Sequence, residues 1–419
     1  MRAETGGVVI IGAGPAGSIA AALLNNQGYR TTILEKEVFP RFSIGESLLP
    51  QCMEFIEQAG MLDAVRKAGF QFKDGAAFWF RDRHCEFWFA DQFTSGFDST
   101  YQVQRDRFDA LLAAEAERMG AEIRWRHEVE AADFGGDQPV LTVSDRNSGE
   151  RYRLTADFVL DASGFGRVLP RLLDLEKPSG FPVRQAVFTH IEDRIDDPSY
   201  DRNKIRIVVH PELTDVWYWL IPFSNGRCSL GVVGEAAVFN TSECAPQAVL
   251  ARFVNEEPGL SELLKNAVFD TPVNTIGGYS ANVKSLYGNG YALLGNAGEF
   301  LDPVFSSGVT IAMKSASLAA EVLHRQFRGE PVDWQRDFAE PLQRGVDTFR
   351  VFVSSWYDGG LQDVIFYPQL ERAEQKNNIK QMICSILAGY AWDQNNPYAK
   401  NSRQRLNTLI ELCREPDLG

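Results

Sequence analysis

A glycine-rich turn close to the start of the chain restricts the possible folds more than any other feature of the sequence. It reads Gly-Ala-Gly-Pro-Ala-Gly over residues 12–17 and follows the short apolar run GVVIIG. Such a run, rich in β-branched residues, is typical of a buried parallel strand, and residues 15–27 after it read as a helix. The chain therefore begins with a strand, a tight turn and a helix.

The spacing of the glycines suits a dinucleotide ligand. Gly12 permits the tight turn, Gly14 lets the backbone approach a pyrophosphate, and Gly17 lets helix and strand pack closely. The N-terminus of the helix then offers unpaired N–H groups to the phosphates. A second strand, RTTILE, ends in Glu35, whose carboxylate can bind ribose hydroxyls. We predict a dinucleotide-binding β-α-β unit; the alternative is a tight turn without a ligand.

Later segments indicate that this domain is interrupted by a second one. Residues 157–164 and 291–298 are apolar strands that end in glycine turns, and a helix from about 309 to 328 follows the second strand. Residues 76–90 and 184–234 alternate apolar and polar side chains, which indicates antiparallel strands of an inserted sheet.

The predicted division of the chain alternates between these two domains and ends in a helical tail rich in aromatic residues. The nucleotide-binding domain is expected at 1–75, 101–175 and 276–330, the sheet domain at 76–100 and 176–275, and the tail at 331–419.

Composition excludes several classes of function. The formal net charge of −14 disfavours nucleic-acid and membrane-surface binding, since both need a basic surface. No uncharged apolar segment of about 18 residues occurs, so no membrane span is expected. The six cysteines and five histidines show no metal or redox spacing, which predicts thiols in a reducing cytoplasm and no metal.

The order of the distant motifs resembles the superfamily of FAD-dependent aromatic hydroxylases. The motifs are GAGPAG, then QVQRDRFDALL, then DFVLDASGFGR, then LLGNAGEFLDP. The resemblance implies an α/β FAD domain of the two-dinucleotide-fold type, interleaved with an antiparallel β-sheet substrate domain and followed by a short helical region. It also implies that FAD is held by Gly12, Gly14, Ala16, Gly17, Glu35, Arg41, Arg105, Asp161, Asn296, Asp302 and Pro303.

Three of these positions have specific implied places. Asp161 is expected near the pyrophosphate, and Asp302 with Pro303 near the ribityl chain and the isoalloxazine. The usual Gly-Asp of the last motif is Gly295-Asn296 here, so the side chain at 296 accepts a hydrogen bond without carrying a charge.

Two further motifs resemble flavin-dependent halogenases. Trp217-Tyr-Trp219-Leu-Ile-Pro matches the W-x-W-x-I-P signature, and Gly45-Glu-Ser-Leu-Leu-Pro resembles a stretch of the same family. The resemblance implies that Trp217 and Trp219 separate flavin from substrate; the alternative is an aromatic stripe in a sheet core. Lys73 matches the essential lysine of these enzymes and is embedded in GFQFKDGAAFWF, where burial would lower its pKa; the alternative is a surface charge.

The segment DPVFSSG at 302–308 precedes a helix and can form a small anion site. The resemblance implies that Ser307 and Gly308 hold chloride or bromide beside the flavin, although the same helix end could face the flavin pyrimidine. Hypohalous acid would then pass the tryptophans and reach Lys73. There the lysine would either hydrogen-bond hypohalous acid as an ammonium or form a haloamine as an amine.

The substrate is expected to be an electron-rich ring. Tryptophan halogenases carry a glutamate where this chain has Phe305, which favours a pyrrole or phenol tethered to an acyl or peptidyl carrier protein. Carrier docking would use a basic patch, either Arg66 with Lys67 or Lys400 with Arg403 and Arg405. The tail is expected on the side of the sheet remote from flavin, leaving a narrow opening.

A separate flavin reductase is the expected source of reduced FAD, because we find one nucleotide-binding motif and no second one for a nicotinamide. Two alternatives remain at this point: an FAD-dependent monooxygenase that hydroxylates its substrate, and a catalytically silent flavin-binding protein.

Overall fold

A computed structural model describes residues 2–239, 245–368 and 377–415. The strands are β1 (Arg2–Thr5), β2 (Val8–Ile11), β3 (Thr31–Glu35), β4 (Gln71–Lys73), β5 (Gly75–Phe80), β6 (Arg83–Trp88), β7 (Thr100–Gln102), β8 (Glu122–Trp125), β9 (His127–Asp133), β10 (Val140–Asp145), β11 (Arg151–Thr155), β12 (Phe158–Asp161), β13 (Glu176–Lys177), β14 (Arg184–Glu192), β15 (Lys204–Val209), β16 (Trp217–Pro222), β17 (Arg227–Glu235), β18 (Asn274–Gly277), β19 (Asn282–Val283), β20 (Tyr287–Gly288) and β21 (Tyr291–Leu293).

The α-helices are α1 (Pro15–Asn26), α2 (Gln51–Gln58), α3 (Leu62–Lys67), α4 (Arg105–Arg118), α5 (Val168–Leu172), α6 (Ala236–Phe239), α7 (Pro246–Glu256), α8 (Pro258–Leu263), α9 (Ser307–Phe327), α10 (Glu340–Tyr357), α11 (Gly360–Ile365), α12 (Asn377–Leu387), α13 (Pro397–Lys400) and α14 (Ser402–Arg414). None of the described helices is both long enough and apolar enough to cross a membrane.

A six-stranded sheet in the order β20-β21-β12-β2-β3-β8 forms the centre of the nucleotide domain. Its four inner strands run parallel and are almost fully buried, as expected for short runs of β-branched and aliphatic residues between helices. Strands from three separate parts of the chain meet here, because β12 pairs with both β2 and β21. The predicted joining of the three glycine-turn segments into one domain is confirmed.

A seven-stranded sheet in the order β18-β14-β17-β16-β15-β5-β6 forms the second domain. All its neighbours are antiparallel except β15 and β5, which run parallel with Ile207 opposite Phe78. The interleaved α/β architecture is confirmed, with this one parallel pair added. The parallel pair arises because β5 enters the sheet from a distant part of the chain rather than through a hairpin. A smaller sheet, β1-β11-β10-β9, and the pairs β13-β19 and β4-β7 complete the strands.

Alternation along β16 gives the seven-stranded sheet two different faces. Trp217 and Trp219 belong to the large core that also contains the nucleotide domain and the tail. Tyr218 and Leu220 point the other way, into a smaller core shared with α7 and α8. The two tryptophans therefore face the nucleotide domain.

The helical tail covers a different side of the sheet from the one predicted. Trp356 of α10 packs on Phe78 of β5, with ring centroids 5.8 Å apart, and Phe366 packs on Phe80 at the same distance. These residues share the core of Trp217, so the tail lies on the same face as the tryptophans. The prediction of the remote side is wrong, because α7 and α8 already fill that face.

Gly345 marks the place where the tail packs most closely. It lies in α10, and a methyl group added to it would collide with the indole of Trp392. We expect Gly345→Ala to lower the free energy of unfolding by about 1–3 kcal/mol, because overpacking exceeds the gain in helix propensity. Chemical denaturation measures the change. Ser354→Ala, an exposed substitution in the same helix, should change stability by less than about 0.5 kcal/mol; an unchanged or raised stability of Gly345→Ala would contradict this packing.

Candidate active site

A cavity of about 570 Å³ lies at the carboxyl ends of the parallel strands. Its walls come from both domains: the glycine turn, the segment from Arg41 to Ser47, the loop after β12, strand β16 and the start of α9. Ligands bind at this edge of open α/β sheets because the loops after the strands converge there. Of the predicted site residues, Gly12, Gly14, Ala16, Glu35, Arg41, Arg105, Trp217, Trp219, Asn296, Pro303 and Gly308 line it.

The glycine turn fits a pyrophosphate. Gly12 has a φ of +99°, and a Cβ there would lie 2.7 Å from the carbonyl oxygen of Ala162. A Cβ at Gly17 would collide with the carbonyl oxygen of Gly12, so Gly17 serves packing and does not line the cavity. Helix α1 begins beside the cavity with neither a side-chain cap nor an acidic residue in its first turn. Its N–H groups are therefore available to phosphate oxygens.

Glu35 is held rigidly at the end of β3. It is 5% exposed, and its two carboxylate oxygens accept hydrogen bonds from the backbone N–H groups of Ala13 and Glu37, each 2.9 Å long. A carboxylate oxygen has a second lone pair, and Glu35 lines the cavity. The residue can thus bind ribose hydroxyls while it also fixes the glycine turn.

Arg105 and Arg41 are brought together by a carboxylate that the sequence did not single out. Asp109 is fully buried and accepts from Arg105 Nε and Nη2 at 2.7 and 3.0 Å, and from Arg41 Nη1 at 3.4 Å. Arg105 Nη1 donates to the carbonyl oxygen of Ile44 at 2.8 Å. Arg105 therefore fixes the segment before Ser47 as well as contributing positive charge to the cavity.

Asp161 does not line the cavity. Its carboxylate is fully buried and accepts from the backbone N–H groups of Ser163 and Leu169 at 2.9 and 2.7 Å. It shapes the loop that faces the cavity, so its effect on a pyrophosphate is indirect. Asp161 therefore holds the loop of residues 162–168 in place, and its expected place near the pyrophosphate stays a prediction.

Asp302 also points away from the cavity, whereas its neighbour Pro303 lines it. The carboxylate accepts from the N–H of Val304 and from the hydroxyl of Tyr357, all at 3.0 Å. Burial raises the pKa of Asp302 to about 7. Its carboxylate is therefore bound to the tail, and its implied place near the ribityl chain stays a prediction.

The turn after Asp302 leads into α9. Ser306 has a φ of +56° and, like Gly308, lines the cavity, while Ser307 between them is buried and begins the helix. A Cβ at Gly308 would lie 3.1 Å from Phe300. The first N–H groups of a helix lack internal partners, so this turn provides donors for a small anion.

Asn296 lines the cavity close to that turn. Its backbone carbonyl accepts from Arg167 Nη1 at 3.2 Å. Arg167 is buried, pairs with Glu176 at 2.8 Å and has a φ of +46°. Arg167 ends the motif DFVLDASGFGR but was not singled out as a site residue, although it holds the segment that carries Asn296.

Trp217 and Trp219 form one wall of the cavity, with ring centroids 5.9 Å apart. Each indole N–H is fixed: that of Trp219 donates to Ser229 Oγ at 3.0 Å, and that of Trp217 donates to the hydroxyl of Tyr357 at 2.9 Å. The pair is thus a rigid, apolar surface facing the ligand.

Lys73 lies just outside this cavity. It ends β4 opposite Thr100, is 1% exposed, and its Nζ donates to Ser47 Oγ and to the carbonyl of Leu48, both at 2.8 Å. Burial lowers the pKa of Lys73 to about 7. Because Ser47 lines the cavity and Lys73 does not, the serine is the link between the two.

The aromatic surroundings of Lys73 differ in detail from those implied by the sequence. The ring beside its amine is Phe89, whose centroid is 5.3 Å from Nζ, whereas Phe72 is 44% exposed. Phe305 is buried against Phe352 and Trp356 and does not line the cavity. Phe305 therefore belongs to the aromatic core beneath the tail.

Comparison with known proteins agrees with this geometry. The family described as FAD binding domain matches residues 5–210. A 1H-pyrrole-2-carbonyl-(peptidyl-carrier protein) chlorinase of Pseudomonas fluorescens is 30% identical over 335 residues, covering 75% of this chain and 74% of that protein. The chain belongs to the flavin-dependent halogenase family. It therefore binds FAD, for which the glycine turn, Glu35 and the two arginines are suited.

Two further relatives show how wide the family is. A tryptophan 2-halogenase of Chondromyces crocatus is also 30% identical, and the match covers 77% of this chain but only 62% of that protein. A solved structure described as a flavoprotein/dehydrogenase from Cytophaga hutchinsonii is 44% identical, with a TM-score of 0.93 and coverage of 98% of this chain and 99% of that one.

The contact between Glu46 of the family stretch and His190 was not predicted from the sequence. Glu46 is 1% exposed, lines the cavity, and contacts His190 Nε2 at 2.7 Å, although 144 residues separate the two. Burial acts to lower the pKa of His190, but the hydrogen bond and charge of Glu46 outweigh it and raise the pKa. This pair fixes the motif segment 45–50 to β14.

The glycines of the turn can be separated by substitution. A Cβ at Gly14 meets nothing closer than Arg41 Nη2 at 3.7 Å, whereas one at Gly17 collides with backbone. We expect Gly14→Ala to fold normally but to bind FAD about tenfold or more weakly, since its methyl group enters the cavity. Gly17→Ala should instead lower the melting temperature. Flavin fluorescence titration and thermal denaturation measure the two effects; a reversed pattern would contradict the assigned roles.

Proposed function

We propose that this chain is a halogenase that uses reduced FAD and dioxygen to chlorinate or brominate an electron-rich aromatic or heteroaromatic ring. The observation that carries the proposal is the arrangement of three elements. The wall formed by Trp217 and Trp219 lines the flavin cavity, the proposed halide turn (residues 302–308) borders the same cavity, and Lys73 lies behind Ser47.

Each element has a chemical role in the proposal. When bound, reduced FAD supplies the two electrons that convert dioxygen and halide into hypohalous acid. The N–H groups at Ser307 and Gly308 hold the halide, and the tryptophan wall keeps the substrate ring away from the flavin. Lys73 receives the oxidised halogen, either as an ammonium that hydrogen-bonds hypohalous acid or as an amine that forms a haloamine. Its pKa of about 7 leaves both forms populated at neutral pH.

Lys73 provides the direct test. We expect Lys73→Met to abolish halogenation, at least about a hundredfold, while FAD binding and reoxidation of reduced FAD by dioxygen persist. Lys177→Met, which removes an exposed lysine of β13, is the matched control and should leave the rate unchanged. Halogenated product is measured by mass spectrometry with bromide and chloride. Near wild-type product formation by Lys73→Met would exclude the assigned role.

The pH dependence of the unfolding free energy tests the burial of Lys73 without any substrate. The folded pKa of Lys73 is about 7 and the model-compound value is 10.5, so the unfolded chain binds the proton more tightly. Stability should therefore rise with pH between these values, by up to about 1.4 kcal/mol per pH unit. Lys73→Met should lack this part of the pH dependence of the unfolding free energy. An identical pH dependence in both proteins would show that Lys73 is not buried as an amine.

Two alternatives are distinguished by the same product analysis. An FAD-dependent monooxygenase would give a hydroxylated product whose mass does not depend on halide, with the tryptophan motif acting only in packing. A silent flavin-binding protein would give no product. The arrangement around Lys73 favours the halogenase, since a buried lysine has no role in either alternative.

The proposed substrate is a pyrrole or phenol tethered to a carrier protein. One relative is named for a carrier-bound pyrrole and another for tryptophan, so the family includes both kinds of substrate. Phe305 supplies no base for deprotonating a ring intermediate, which suits rings that lose the proton readily. Of the two basic patches, Arg66 and Lys67 on α3 are exposed and lie five and four residues before the start of β4, within about 25 Å of Lys73 along the chain.

Carrier docking can be tested by reversing charge. We expect Arg66→Glu with Lys67→Glu to raise KM for a carrier-bound ring at little cost in kcat, because binding energy would lie in the docking contact. The same reversal at Lys400, Arg403 and Arg405, which are also exposed, is the comparison and should have the smaller effect. Steady-state kinetics of both charge-reversal variants, with the tethered ring and with its free acid, measure these changes in KM and kcat. Equal or better turnover of the free acid would refute the carrier partner and leave the halogenase proposal intact.

A separate flavin reductase is the proposed source of reduced FAD, and the cytoplasm the proposed compartment. Within the described residues, the glycine-turn β-α-β unit is the one nucleotide-binding motif, and Cys52, Cys228 and Cys384 are buried thiols. Oxidation of NADH or NADPH by the purified chain at the rate of product formation would exclude a separate reductase.

A further inference from the structure

Three distant segments of the chain meet in one buried hydrogen-bonded chain. Trp217 of β16 donates from its indole to the hydroxyl of Tyr357 at 2.9 Å. Tyr357, the last residue of α10, donates in turn to Asp302, whose carboxylate oxygens are both 3.0 Å away. Asp302 also accepts from the N–H of Val304 at 3.0 Å. The sheet domain, the tail and the halide turn are thus joined by four hydrogen-bonding groups.

The position of Asp302 makes this connection short. Its contact with Val304 fixes the one-turn 3-10 helix Pro303–Phe305, after which Ser306 turns the chain into α9. The turn and the tryptophan wall both line the flavin cavity. A single carboxylate therefore sets the conformation of the turn and, through one tyrosine, the position of Trp217.

The same group carries an unusual buried charge. Arg184 is 4% exposed, and its guanidinium carbon lies 3.3 Å from the centroid of the Tyr357 ring. Its Nε and Nη1 have no hydrogen-bond partner among the described residues. Burying a cation with unpaired N–H groups beside a buried carboxylate is costly, and well-packed apolar residues often replace such groups without loss of stability. The arrangement therefore points to a role in holding Tyr357 rather than in folding.

We propose that Tyr357 and Asp302 are positioning residues that hold Trp217 at a fixed distance from the halide turn, so that oxidised halogen reaches Lys73 instead of escaping. The inference rests on the proposed function. Arg184, stacked on the tyrosine ring, fixes the hydroxyl between its two partners. Without the hydroxyl, the indole N–H of Trp217 and one side of the Asp302 carboxylate lose their partner, and the wall is no longer tied to the turn.

The experiment compares two tyrosine substitutions that each remove one buried hydroxyl from the same region. Tyr357→Phe keeps the ring and the contact with Arg184. Tyr218→Phe is the matched control: Tyr218 lies on β16 next to Trp217 but faces the opposite core, where its hydroxyl donates to the carbonyl of Phe253 at 2.9 Å. Both variants should lose similar stability, so a difference in any other property reports on the network.

Two measurements decide the proposal. The first is the fraction of reduced FAD converted to halogenated product, with hydrogen peroxide as the remainder; we expect this fraction to fall about threefold to tenfold in Tyr357→Phe and to stay near wild type in Tyr218→Phe. In Asp302→Asn, which keeps an oxygen acceptor, the fraction of reduced FAD converted to halogenated product should lie between the values of these two variants. Unchanged coupling in Tyr357→Phe, or an equal loss in Tyr218→Phe, would overturn the proposal.

The second measurement does not require halogenation. The chain has eight tryptophans, and the ¹⁵N–¹H indole resonance of Trp217 is assigned by its loss in Trp217→Phe. This resonance should shift and exchange faster with solvent in Tyr357→Phe but not in Tyr218→Phe. If wild-type protein makes no halogenated product while the resonance behaves as expected, the proposed function fails and the positioning of Trp217 stands. If the resonance is unchanged in Tyr357→Phe, the positioning itself is wrong.

Discussion

Buried carboxylates that accept backbone N–H groups fix the shape of the flavin site, and the other contacts depend on them. Removing a carboxylate from water is costly unless hydrogen bonds replace the solvent, so each such group tolerates one loop conformation. The three carboxylates with their partners are Glu35 with Ala13 and Glu37, Asp161 with Ser163 and Leu169, and Asp302 with Val304. The loops they hold carry the glycine turn, the wall after β12 and the halide turn. These loops line part of the cavity, and acids behind them supply the rigidity.

This division explains which parts of the site could be predicted from the sequence. The glycine turn and Glu35 were predictable because strand, turn and helix are local, and their geometry follows from residues close in the chain. Asp161 and Asp302 were expected near the ligand but do not line the cavity, because a motif indicates which residues lie near a ligand but not which way each side chain points. The contacts of Asp109 with Arg41 and of His190 with Glu46 could not be predicted, since the two residues of each pair lie 68 and 144 positions apart in the chain.

The fold, like the site, could be predicted from the sequence where it depends on local patterns but not where it depends on distant segments. Alternation along β16 correctly separated Trp217 and Trp219 from Tyr218 and Leu220. It could not say which face the tail would cover, because both faces are apolar and buried. Helices α7 and α8 follow β17 closely in the chain and fill one face of the sheet. The tail therefore packs on the other face. The tail thereby reaches both Trp217 and the aromatic core around Phe305, which a tail on the remote face would not contact.

The segment from Ile44 to Leu48 joins the two ends of the proposed reaction path. The carbonyls of Ile44 and Gly45 accept from Arg105, on the flavin side. Ser47 and the carbonyl of Leu48 accept from Lys73. Five consecutive residues thus connect a cavity arginine to the lysine, and with trans peptides they fix the separation to within a few ångströms. A short segment held at both ends thus places Lys73 behind Ser47 and outside the cavity.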